Sequence, residues 1–88
     1  MSALAQQIAT RVRECPNVVG LSGGPFGAVA TYLPGETVSG VAVRDDEVEI
    51  AIVVTGDRPL PEVANQVRDA VAPLTGKRAV NIHIGGLT

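Results

Sequence analysis

The chain has 88 residues, a formal net charge of −2, 45 % hydrophobic residues and 2 % aromatic residues. Such a length bounds it to one small domain over residues 1–88, with 14 Val and 11 Ala as the main stock for a core. Disorder is excluded, because disordered chains combine low hydrophobicity with high net charge.

The near balance of charges leaves no steering field for phosphate backbones or anionic lipid. Phe26 and Tyr32 are too few aromatics for a base-stacking platform, so no nucleic-acid partner is expected. A single Cys rules out an internal disulfide and a zinc cluster, and no cofactor is expected. Met1 to Gln7 lacks the basic and apolar regions of a signal peptide. No apolar run approaches the roughly 20 residues of a membrane-spanning helix. The expectation is a cytoplasmic protein without direct membrane insertion.

Leu4, Ile8, Val12 and Cys15 recur at helical spacing and predict an amphipathic helix over about Ala3 to Glu14, ended by Pro16. Val18 to Ser22 predicts a short strand and Gly23 to Gly27 the loop after it. Ala28 to Leu33 and Val38 to Arg44 predict a hairpin turning at Pro34–Gly35. Asp45–Asp46 turns the chain into a strand over Glu47 to Thr55, where Val48, Ile50 and Ile52 alternate with Glu47, Glu49 and Ala51. Pro61 and Glu62 suit a first helical turn. Leu60, Val63, Ala64, Val67, Ala70, Val71 and Leu74 then trace an apolar stripe, with Pro73 loosening its last turn and Gly76 as cap. Arg78 to Ile84 predicts a final strand ending at Gly85–Gly86.

The order is helix, three or four strands, helix, strand. A crossover from Glu47 through the second helix to Ile84 places two parallel strands in an otherwise antiparallel sheet of four to five strands. Two helices with one stripe each cover one face, giving a two-layer α+β sandwich.

Cys15 and His83 are the sole thiol and imidazole, but Cys15 lies on a helical apolar stripe and His83 points away from Ile82 and Ile84. The two therefore do not form a nucleophilic pair. Asp45, Asp46, Glu47 and Glu49 lack the spacing of a calcium loop. Nothing supplies a paired acid and base or an activated nucleophile, so no enzyme is expected. Gly23, Gly24 and Gly27 form a candidate ligand loop, yet no Lys or Arg lies between Arg13 and Arg44 to hold an anion there. If Val48, Ile50, Ile52, Val80, Ile82 and Ile84 face the helices, the other side carries Ala42, Ala51, Val53, Ala79, Asn81 and His83. Nothing in the chain is left to cover these small residues, so they make a candidate interaction surface for another copy or a partner.

Six stretches carry a family resemblance: Asn17 to Gly24, Gly40 to Val43, Glu47 to Val54, Leu60 to Ala64, Leu74 to Gly76, and Val80 to Ile84 with Gly86. In this order they resemble the alkaline shock protein (Gls) family of envelope stress response proteins, over about Ile8 to Leu87. The resemblance implies a bacterial cytoplasmic protein without catalytic activity that self-associates as a homo-oligomer. It also implies a hold beneath the membrane by a small membrane-anchored partner protein, as in some members of the family. The chain is shorter than family members usually are, and Pro73 interrupts a stretch that is plain helix in them. Two other readings stand beside it: a small-ligand regulatory module of the ACT-like kind, with Gly20 to Gly27 lining the site, and a KH-like RNA-binding domain using Gly24 to Gly27.

Overall fold

The computed structural model describes residues 3–23 and 29–88. Along the chain the elements are α1 (Leu4–Arg13), β1 (Val18–Leu21), β2 (Ala30–Leu33), β3 (Glu36–Ser39), β4 (Val41–Val43), β5 (Glu47–Val54), α2 (Leu60–Thr75) and β6 (Ala79–Leu87).

In α1 the backbone N–H of Ala3 donates to Gln6 Oε1 at 2.9 Å, which satisfies one free donor at the helix start. Arg11 and Arg13 in its last turn complement the negative end of the dipole. Its buried face is Ala5, Ile8, Ala9 and Val12, with Cys15 just beyond. Pro61 opens α2 where a missing N–H costs nothing, and Val63, Val67, Val71 and Thr75 form its buried row. The Thr75 hydroxyl donates back to the Ala72 carbonyl, so its burial leaves no bare donor.

β5 is the middle of the main sheet. It pairs in parallel with β6 along its length, Val48 opposite Val80 and Ile52 opposite Ile84. Its other side is shared end to end by two antiparallel strands: β4, with Val41 opposite Ile50, and β1, with Leu21 opposite Ile52. The even residues Val48, Ile50, Ile52 and Val54 are fully buried beneath α1 and α2. Each such side chain contributes about 1.5–3 kcal/mol relative to exposure. The fold is therefore α+β, with two helices on one face of a mostly antiparallel sheet.

Two segments differ from the sequence expectation. The strand expected over Val38 to Arg44 is broken at Gly40, which adopts φ +89° and divides it into β3 and β4. β3 pairs with β2 in a separate two-stranded sheet, while β4 joins the main one. Gly40 fastens the two together: its N–H donates to the Val29 carbonyl at 2.7 Å and its carbonyl accepts from Ala51 N at 2.9 Å. Secondly, β6 does not stop at Gly85–Gly86 but runs to Leu87, with a register shift against β5 between Ile84 and Gly86. The glycines serve close approach there: a Cβ on Gly85 would lie 2.7 Å from Ser22 Oγ.

Candidate functional site

The register of β4, β5 and β6 puts Ala42, Ala51, Val53, Ala79, Asn81 and His83 on the helix-free face. Their exposure is not uniform. Ala42 and Ala51 are 5 % and 0 % exposed, because Val29, at the entry to the β2–β3 hairpin, packs on them as a second small buried cluster. This corrects the expectation that nothing in the chain covers them. Val53 is half-buried, and Ala79, Asn81 and His83 are exposed.

The same register brings charged residues among them. Glu47 and Glu49 share parity with Ala51 on β5 and stand opposite Ala79 and Asn81 on β6. Glu49 accepts from Arg44 Nη1 at 2.5 Å and lies 3.4 Å from His83 Nε2 through its other oxygen. Glu47 accepts from Asn81 Nδ2 at 3.0 Å and sits 3.5 Å from Arg44. The open part of the face is thus a polar row, Arg44–Glu49–His83 beside Glu47–Asn81, and not a smooth small-residue surface. The sequence held the signal: a parallel β5–β6 pair with glutamates at alternate positions of one strand and Asn81 and His83 at matching positions of the other. Every polar member of the row has a partner within it, so it is self-satisfied and solvated.

Cys15 and His83 sit on opposite sides of the sheet, Cys15 in the helix-side core and His83 on Glu49. Burial, aided by the Glu14 carboxylate, pushes the Cys15 thiol above its ordinary range, which keeps it protonated and unreactive at neutral pH. Among the described residues no group of three or more His, Cys, Asp or Glu could hold a metal ion. No helix among them is long and apolar enough to cross a membrane.

Of the candidate ligand loop, Gly24 and Gly27 lie outside the described residues; Gly23 is half-buried and its carbonyl accepts from Val29 N at 2.8 Å. A groove of about 610 Å³ opens nearby between α1 and β3, bordered by Gln6, Arg13, Leu21 and Glu36. Gln6 and Glu36 are hydrogen-bonded across it.

The remaining feature is the outer edge of β6. With β1 and β4 both on the far side of β5, no strand among the described residues pairs with it. It is nine residues long, and its residues alternate between exposed and half-buried along the whole length. A charged group guards it: Arg68 Nε donates to the Val80 carbonyl at 3.2 Å. Comparison with protein-family models, curated proteins and solved structures finds no match to this chain.

Proposed function

We propose that this chain is a non-enzymatic protein-interaction module, a self-associating scaffold or adaptor that works through its sheet edge. The observation that supports the reading is the long outer edge of β6, a row of backbone donors and acceptors with apolar side chains above it. Natural proteins keep such edges short, charged or covered, because an open one templates pairing with another chain. Its resemblance to the alkaline shock proteins extends the proposal to an envelope or alkaline stress role in a bacterial cytoplasm, near the membrane through a small membrane-anchored partner. Size-exclusion chromatography with light scattering tests the core of it. Mass rising with concentration is the expected result; a strict monomer at high concentration that also retains no partner in a pull-down overturns it.

The groove between α1 and β3 favours a second reading, a small-ligand module of the ACT-like kind, since it is bordered by Leu21, a member of the Gly20 to Gly27 stretch. A ligand that binds only the native state raises the melting temperature. A thermal-shift screen against the amino acids and the common nucleotides decides it: a saturable rise with any of them supports the ligand module, and none removes it.

A further inference from the structure

We propose that β6 pairs antiparallel with β6 of a second copy of this chain, about a two-fold axis between the two Ile82 residues. This rests on the reading of the chain as self-associating and adds the surface, the register and the symmetry.

The direction of the peptide groups comes first. The N–H of Ala79 points inward, donating to Asp46 O at 3.0 Å, whereas the Val80 carbonyl points outward and meets Arg68. Peptide groups alternate along a strand, so Val80, Ile82 and Ile84 present their N–H and C=O groups to the outside. The register shift at Gly85–Gly86 ends this series, since beyond it Thr88 N donates inward to Val54 O at 2.9 Å. The outward ladder therefore consists of Val80, Ile82 and Ile84.

An antiparallel partner centred on Ile82 uses all of them. Val80 faces the partner's Ile84, Ile82 faces the partner's Ile82, and two hydrogen bonds per facing pair make about six. Centring on Asn81 or on His83 leaves one outward residue without a counterpart and about four bonds. Side chains agree with the first choice. On the helix-free face Asn81 falls opposite the partner's His83, so no like charges are opposed. On the helix side, Val80, Ile82 and Ile84, packed against the core yet only partly buried, become one aliphatic row across the axis. A partner strand must offer aliphatic residues at alternate positions with uncharged polar ones between them, and β6 itself has that pattern. The net charge of −2 opposes such a pairing little. One strand edge is a small interface, so dissociation constants of about 1–100 μM are expected.

Asn81→Cys and His83→Cys chains, prepared separately, test the register under mild oxidation alone and mixed in equal amounts. Both positions are exposed, so both variants keep the core intact. In the proposed register the thiol introduced by Asn81→Cys in one chain meets the thiol introduced by His83→Cys in the other. Their Cα atoms stand about 4.5 Å apart, within disulfide reach. The mixture is expected to give at least about fivefold more covalent dimer than either variant alone, with the wild type, whose thiol is 8 % exposed, as background. Cross-linking by one variant alone places the axis elsewhere and overturns the proposal. Sedimentation equilibrium of the wild type to about 1 mM, run in parallel, separates the two levels of inference. A reversible dimer without mixture-specific cross-linking overturns this register and leaves self-association standing, whereas a monomer without cross-linking overturns both. Ile82→Pro, which removes an outward N–H and leaves the inward ladder whole, is expected to weaken the dimer at least about tenfold; an unchanged constant also overturns the proposal.

Discussion

Replacing Gly40 by alanine strikes the point where the hairpin and the main sheet are joined. Gly40 has φ +89°, a conformation that costs a residue with a Cβ about 1–3 kcal/mol. The added Cβ would also lie 2.7 Å from Leu21 Cβ, 2.9 Å from the Ser22 carbonyl oxygen and 3.1 Å from the Ala51 carbonyl oxygen. None of these is the end of a flexible side chain, so β1 must move off β5 or β4 must twist, at a further cost of about 1–3 kcal/mol. The sum, about 2–6 kcal/mol, is a large part of the roughly 5–15 kcal/mol that holds a small domain together. At about 4–8 °C per kcal/mol, the melting temperature should fall by about 10–50 °C. Gly35→Ala is the control, because Gly35 has φ +79° at the hairpin turn with nothing within 4 Å of the added Cβ. It should lose only the conformational part, about 1–3 kcal/mol. Circular dichroism melts and urea titrations of the two variants read the difference directly. If Gly40→Ala melts within a few degrees of Gly35→Ala, the close-approach argument is refuted.

Three further expectations concern the core thiol, the polar row and the guarded edge. Burial, and secondarily Glu14, raise the Cys15 thiol above 9.0, so the folded chain holds that proton more tightly than the unfolded one. The resulting stability is present below pH 9.0 and is lost as pH rises through the folded value; urea titrations should show an alkaline decline that Cys15→Ala flattens. Glu49→Gln breaks the contacts to Arg44 and His83, but these side chains are 25 %, 47 % and 48 % exposed, and the cost should stay within about 1 kcal/mol and shrink in salt. A loss of several kcal/mol would mean that the row is structural and not merely solvated. Arg68→Ala frees the Val80 carbonyl from its guanidinium and should tighten β6 pairing about two- to fivefold in sedimentation equilibrium; weaker association would show that Arg68 supports the edge instead of guarding it.

Much of this architecture is legible in residue order. The period of Leu4, Ile8, Val12 and Cys15 marks α1 to within a residue at each end, and the alternation along Glu47 to Val54 sorts β5 into a helix side and an open side. A strand, a helix and another strand in succession imply the parallel β5–β6 pair. Gly40 is harder to read: in sequence it sits between Val38 and Val41 in a run that looks like one strand, and only its positive φ turns it into a joint. Val29 also carries no sign that it packs on Ala42 and Ala51, because nothing local distinguishes a valine that covers a sheet face from one within it.

Periodicity decides which face of an element a side chain takes, since that depends only on the geometry of the local backbone. By itself the sequence determined the α+β class, the helix-facing residues and the parity that joins Glu47 and Glu49 to Asn81 and His83. What lies beside a strand is set by hydrogen bonds between peptide groups that are alike at every residue, so composition and spacing carry almost no record of it. Tertiary structure alone placed β1 and β4 end to end on one side of β5, covered Ala42 and Ala51, and left the outer edge of β6 without a strand partner among the described residues. The candidate working surface moved accordingly, from the small-residue face to the strand edge beside it.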